Sequence, residues 1–204
     1  MRIYATADIH GAQFRVNEMI EVIQSNHPDI IVICGDITQF GPGDVAYYLL
    51  NQLPGTVLVI PGNIDTHDVT EGIKKSHAIN IHLKRYDTNG IVFLGINGVS
   101  DEQTISFYQN ESNKKLFEHI DVLVSHVPPY GFQDTVFLGK HAGSKTITTI
   151  MEEIHPRLVL CGHIHENPGM MKNNDIVVVN CSMGKRGRGA IIELDKMDVA
   201  VEMV

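Results

Sequence analysis

The sequence is short of positive charge, of cysteine and of long apolar runs. Lys and Arg number 16 against 24 Asp and Glu, a formal net charge of -8. That balance excludes a uniformly basic nucleic-acid footprint. It leaves phosphate-ester chemistry open, because bound cations supply positive charge locally whatever the global sign. Aromatic residues make up only 6% of the chain, too few to suggest a stacking platform for single strands. The three cysteines, Cys34, Cys161 and Cys181, have neither the pair spacing of a zinc site nor the look of a disulfide framework. They set the expectation of a reducing, cytoplasmic setting. No apolar run approaches the roughly 20 residues of a membrane helix, and no signal-peptide core precedes Asp8 and His10. A membrane partner is therefore not expected.

What is present is ordinary for a folded chain: 204 residues, 43% apolar and 20% charged. One globular domain over residues 1–204 is expected. The first half alternates apolar strands (3–7, 30–34 and 57–60) with helical patterns (14–24 and 44–51). That β-α-β-α-β order implies a parallel sheet with right-handed crossovers. The second half is richer in strands, at 91–96, 122–125, 158–161, 176–179, 190–194 and 199–203. Helices are expected at 103–119 and 145–155, and turns at Asn173-Asn174-Asp175 and between Gly184 and Gly189. The mixture of βαβ units and hairpins predicts an α/β (α+β) fold of two sheets packed together with helices outside.

The informative feature is where the polar residues fall. Successive apolar runs end in Asp8-Ile9-His10, Gly35-Asp36, Gly62-Asn63, Ser125-His126 and Gly162-His163-Ile164-His165. Ligands of open α/β sheets bind beyond the carboxyl ends of the strands, so one rim gathers two aspartates, an asparagine and four histidines. Mixed imidazole and carboxylate suits Mn, Fe, Co, Ni or Zn. Seven ligands are too many for one tetrahedral centre and suit two ions about 3.5–4 Å apart that share a carboxylate. Gly35, Gly62 and Gly162 each precede a candidate ligand, where a residue without Cβ permits a sharp turn.

These blocks, in this order, resemble the motif series of the calcineurin-like metallophosphoesterases: D-x-H, G-D, G-N-H-[DE], a histidine, then G-H-x-H. The resemblance runs from residue 8 to residue 165. It implies a four-layer αββα sandwich of two mixed β-sheets flanked by helices, around two divalent metal ions. By position, Asp8, His10 and His165 would hold the first ion, Asn63, His126 and His163 the second, and Asp36 would bridge. The activity implied is hydrolysis of a small-molecule phosphoric ester, a phosphodiester first, by a hydroxide generated between the ions. Pro128-Pro129, His141-Ala142-Gly143-Ser144 and Gly162-His163-Ile164-His165-Glu166-Asn167-Pro168-Gly169 resemble a phosphodiesterase-like branch. Two rivals stand beside this reading: a scaffold that keeps the fold without turnover, and a metal-dependent nuclease.

The third block departs from the family pattern. It reads Gly62-Asn63-Ile64-Asp65, with Ile64 where the family often has a histidine that protonates the leaving group. Either His67 or His141 substitutes, or the enzyme favours leaving groups that depart without a proton, and the second reading is preferred. The catalytic candidates are Asp36, Asn63 and His141, and the candidate substrate contacts are Asn63, His67 and His141. Residues 127–143, rich in Pro and Gly, are expected to form a loop over the site. Each residue also has a plainer reading. Asp8 could cap the first helix, Asp36 and Asn63 could be turn residues, and His67 and His141 could simply be solvated. Asp65 could orient a ligand or serve a turn. Lys185, Arg186 and Arg188 could grip phosphate but fit a hairpin better. Cys34 and Cys161 fit small buried hydrophobes.

Overall fold

Apolar residues alternate along β1 (Arg2–Thr6), so that Ile3 and Ala5 face one way and Tyr4 the other, and all three are buried. A strand buried on both faces needs a layer on each side. The computed structural model, which describes residues 1–184, 187–196 and 198–204, supplies both layers. After β1 come α1 (Gln13–Asn26), β2 (Ile30–Ile33), α2 (Gly43–Leu50), β3 (Val57–Val59), α3 (His67–Lys75) and β4 (Ile79–Asn80). Then follow β5 (Arg85–Thr88), β6 (Ile91–Ile96), α4 (Asp101–Gln109), a 3-10 segment (Glu111–Phe117) and β7 (Val122–Ser125). A small hairpin of β8 (Thr135–Val136) and β9 (Lys140–His141) precedes α5 (Lys145–Ile154) and β10 (Leu158–Cys161). The chain ends in β11 (Gly169–Asn173), β12 (Ile176–Asn180), β13 (Ala190–Leu194) and β14 (Val199–Met203).

Two six-stranded mixed sheets result, ordered β14-β13-β1-β2-β3-β4 and β11-β12-β10-β7-β6-β5. Ile3, Val32 and Leu58 of the first sheet pack with Phe93, Val124, Leu160 and Val179 of the second in one buried layer. Tyr4, Ile31 and Val59 face Val16, Met19, Leu50 and Ile73 of the helices on one outer side. Leu94, Leu123 and Val159 face Ile147, Ile150 and Met151 on the other. This is the expected four-layer αββα sandwich. Truncating a side chain such as Leu58 to alanine inside it costs about 2–5 kcal/mol. Among the described residues, no helix is long and apolar enough to cross a membrane.

The topology positions the site. β1, β2 and β3 pair in parallel, as do β6, β7, β10 and β12. Parallel pairing brings the carboxyl ends of each set to one edge, and a bridge between Ala7 and Ser182 joins the chain after β12 to the end of β1 there. The expected helix over 103–119 is instead two pieces. Asn110 ends α4, and its carboxamide oxygen accepts the Ser112 N–H to start the 3-10 segment. The expected loop over 127–143 contains the β8-β9 hairpin.

Candidate metal centre

Each candidate ligand block sits just beyond the end of a strand. Asp8, His10, Asp36 and His163 all adopt positive φ, at 64°, 53°, 52° and 68°. Non-glycine residues rarely sit there, and clusters of them mark functional sites. The loops are stapled together by their backbones: Asp8 N–H donates to Gly35 O at 3.0 Å and His10 N–H to Asp36 O at 2.9 Å. The glycines serve mainly close approach. A Cβ on Gly62 would lie 2.1 Å from the Asp36 carboxylate, and one on Gly162 would lie 2.3 Å from the Ala7 Cβ. Of the three glycines before ligands, only Gly35 needs a positive φ, 96°. At Gly35-Asp36 and Gly162-His163 the residue after the glycine itself takes a positive φ, whereas neither Gly62 nor Asn63 does.

Donor atoms of Asp8, His10 and His165 lie within 4.8 Å of one another, as do those of Asp8, Asp36 and His126. His10 Nε2 is 3.3 Å from His165 Nε2, which is 3.4 Å from an Asp8 oxygen. Asn63 Oδ1 lies 2.8 Å from His126 Nε2 and 3.0 Å from His163 Nδ1. His163 and His165 do not share one side of an extended strand, because His163 is left-handed. Its ring turns to Asn63, while that of His165 turns to Asp8. Asp8 does not cap α1 either, since Ala12 stands at that N-cap with no side-chain bond.

The electrostatics fit cations. Asp8 and Asp36 are buried carboxylates, and among the described residues neither is ion-paired to a lysine or arginine. The nearest guanidinium, Arg15, donates to the Asp8 and Gly184 backbone carbonyls instead. Burial pushes the His10 and His163 imidazoles below their usual range, towards the neutral form a metal requires. Burial also depresses His126, but the Asp36 hydrogen bond and charge outweigh it and hold it above that range. His165 is raised by its bond to Asp8. Burial raises the Asp8 carboxyl, yet the His165 bond and the charge of His126 leave it below its ordinary value. A proton on His126 or His165 thus does what a metal cation between the same atoms would do.

The calcineurin-like phosphoesterase family model matches residues 1–167. The chain belongs to that family. It is 34% identical over 197 residues to the uncharacterized protein MJ1162 of Methanocaldococcus jannaschii, covering 89% of this chain and 88% of that one. Its fold is similar to that of TT1561 of Thermus thermophilus, with a TM-score of 0.71, 13% identity and coverage of 99% and 98%. It is also similar to a structure described as a novel archaeal phosphodiesterase, with a TM-score of 0.59, 14% identity and 100% of both chains covered.

Several residues surround this family centre without joining the ligand cluster. Ile64 offers only its backbone N–H, which donates to Asp36 Oδ1 at 3.2 Å. Asp65 accepts the N–H groups of Ile37, Thr38 and Gly62, each at 3.0 Å, and so ties the Asp36 loop to the Asn63 loop. Burial pushes its carboxyl above the usual value. His67 is exposed at the start of α3. His141 is exposed on β9, with Nδ1 2.6 Å from Asp134 Oδ1. Among the described residues, neither histidine bonds to a ligand side chain. Arg188 binds Glu21 at 2.5 Å and the Glu18 carbonyl, while Lys185 and Arg186 lie outside the described residues. Cys34, Cys161 and Cys181 are all buried thiols.

Sequence reading missed Asp134, Arg15 and Asn180. The buried Asp134 accepts from Gly131 N, Gly143 N and His141, closing the base of the hairpin. Asn180 donates to the carbonyls of Gln133, Ile164 and Asn167 and fixes the hairpin base beside the His163–His165 loop. An aspartate flanked by Gly131 and Gly143 carried a turn signal. Nothing local marked Arg15 or Asn180.

Proposed function

We propose that the chain hydrolyses a small-molecule phosphodiester at a centre of two divalent cations. The supporting observation is the convergence of Asp8, His10 and His165 and of Asp8, Asp36 and His126, each set with donor atoms within 4.8 Å. In this reading Asp8, His10 and His165 would hold one ion and Asn63, His126 and His163 the other, with Asp36 as a shared ligand. Such a pair supplies Lewis acidity towards phosphoryl oxygens and makes bound water acidic near neutral pH.

The chain's own side chains do the positioning. The Cys34 carbonyl fixes the tautomer of His126, and Asp65 holds the Asp36 and Asn63 loops in register. Asn63 is exposed at the rim, where its amide meets substrate. No acid stands at position 64, so the favoured substrates are esters whose leaving oxygen departs without a proton. The net charge of -8 supports a small ester over a nucleic acid, and three free buried thiols support a reducing, cytoplasmic setting.

The test is manganese-dependent hydrolysis of bis(4-nitrophenyl) phosphate by wild type and Asp36→Asn. Turnover that falls by orders of magnitude in a folded Asp36→Asn variant supports the reading. Near-normal turnover in that variant refutes the role of Asp36, and a metal-replete wild type without activity leaves the scaffold reading.

A further inference from the structure

Five large hydrophobic side chains stand out as the most exposed among the described residues: Phe137 at 80%, Leu138 at 78%, Phe40 at 69%, Tyr48 at 67% and Phe14 at 62%. All except Tyr48, which lies on α2, belong to the three segments that leave ligand-bearing strand ends. Phe14 follows His10, Phe40 follows Asp36, and Phe137-Leu138 form the tip of the hairpin that follows His126. Scattered exposed apolar residues are normal; these four differ in that each lies on a segment that leaves a candidate ligand block.

The backbone segments that carry these side chains are held in place. Phe40 has φ 61° and Leu138 has φ 63°, a conformation in which bulky residues are outliers. Phe40 is bracketed by Thr38, whose hydroxyl accepts the Gly41 N–H at 3.0 Å while the Thr38 N–H is fixed by Asp65. The Phe14 ring lies 5.8 Å from the Arg15 guanidinium, which is tethered to the Asp8 carbonyl. The hairpin is closed at its base by Asp134 and tied to the His163–His165 loop through Asn180. The segments carrying Phe40 and Phe137-Leu138 are thus tied by hydrogen bonds to the loops of the candidate centre, and Phe14 lies against Arg15, which is bonded to the Asp8 carbonyl.

We infer that this apolar rim recognises one ester group of the substrate, so that the substrate is an amphiphilic phosphodiester carrying an extended hydrocarbon group. The inference rests on the phosphodiesterase reading of the same centre. The metals take the phosphate, while Phe14, Phe40, Phe137 and Leu138 take the hydrocarbon that remains on it. Each methylene removed from water raises affinity about fourfold.

The test holds the leaving group constant. Wild type is given 4-nitrophenyl methyl, butyl and hexyl phosphates with manganese, so only the retained ester changes. The kcat/KM for the hexyl ester is expected to exceed that for the methyl ester at least tenfold, mainly through KM. That ratio is expected to fall severalfold in Phe40→Ser and in the double variant Phe137→Ser/Leu138→Ser, and to persist in Tyr48→Ser. Calorimetric binding of hexylphosphonate against methylphosphonate to the manganese-loaded protein reads the same preference without turnover. If no ester is hydrolysed, the phosphodiesterase reading fails, and the phosphonate ratio still decides the rim. Hydrolysis or binding that is independent of chain length overturns the inference. So does a dimer that dissociates in the Phe137→Ser/Leu138→Ser variant while wild type shows no chain-length preference, because a second copy then covers the rim.

Discussion

His126 donates its Nδ1 proton to the carbonyl oxygen of Cys34 at 2.8 Å. A carbonyl can only accept, so the neutral ring carries its lone pair on Nε2, which faces Asn63 at 2.8 Å and Asp36 at 3.5 Å. The carbonyl just beyond β2 therefore sets which nitrogen of His126, just beyond β7, is free to bind a metal.

His126→Gln is expected to remove that donor while leaving the sandwich folded. Losing only an outer partner of a metal ligand costs about 10–100-fold in metal affinity or activity, and loss of the ligand itself should cost more. If the proposed centre holds two ions, metal analysis after gel filtration is expected to give about two equivalents for wild type and about one for the variant. Two tightly held equivalents in the variant would remove His126 from the ligand set.

Asp65 offers a stability test independent of metal. Its carboxylate satisfies three backbone N–H groups on two loops. Asp65→Ala leaves those donors without their acceptor, a loss expected to be about 3 kcal/mol. Asp65→Asn keeps one acceptor oxygen and should fall between. Urea unfolding of the chelated proteins checks the order, and an Asp65→Ala variant as stable as wild type would show that water replaces the carboxylate.

His82 gives a pH dependence of definite sign. Its Nδ1 accepts the Asn97 N–H at 3.2 Å, so the folded ring must be neutral. Burial, with the charge of Lys84, lowers its pKa. A group whose folded pKa lies below its unfolded value contributes stability that is complete above about pH 6.5 and is lost as pH falls through the folded pKa. The contribution changes by at most about 1.4 kcal/mol per pH unit. Denaturant unfolding between pH 7.5 and pH 5.5 should show a steeper loss for wild type than for His82→Gln. Parallel profiles would mean that His82 titrates alike in both states.

The two-sheet sandwich was legible in the sequence through local signals, but the stretch between β3 and β6 was not: it carries α3, β4 and β5, none of them expected. Short continuous apolar runs that lead into glycine, such as Ile30–Ile33 before Cys34-Gly35, favour doubly covered strands, and five of the runs lead into residues able to bind metal. Most of what escaped notice depends on contacts distant in sequence or on short segments, although α3, nine residues with Val69, Gly72 and Ile73 buried at helical spacing, carried a local signal that was missed. β4 has two residues and pairs with β3 only through the fold. β11 is exposed along its middle, so it lacks an apolar stripe. Asn180 and Arg15 matter through backbone carbonyls on other loops, which no composition or periodicity encodes. The glycine reading missed in the other direction: a dipeptide such as Gly62-Asn63 signals a turn, while the close approach of the Asp36 carboxylate that excludes a side chain there is a tertiary fact.

The last prediction concerns Ile64. Its backbone N–H supports Asp36, but its side chain has no proton to give. A positioned acid typically contributes about 10²–10⁴-fold when the leaving group is poor. Wild-type rates should therefore depend steeply on leaving-group pKa, with aryl esters far ahead of alkyl esters of equal charge. Ile64→His keeps the backbone donor and adds an imidazole at the position where the family often carries one. It should flatten the dependence by accelerating the poor leaving groups while changing nitrophenyl esters little. His141, held through Nδ1 by Asp134, keeps Nε2 available and is the rival acid. A graded series of diesters with a constant retained group, measured where chemistry limits the rate, separates the two. A steep wild-type profile that flattens in Ile64→His and is unchanged in His141→Ala supports hydrolysis without an acid. A shallow wild-type profile that steepens in His141→Ala makes His141 the acid. It would also give Asp134→Asn an effect on poor leaving groups, since the carboxylate orients the ring that protonates them.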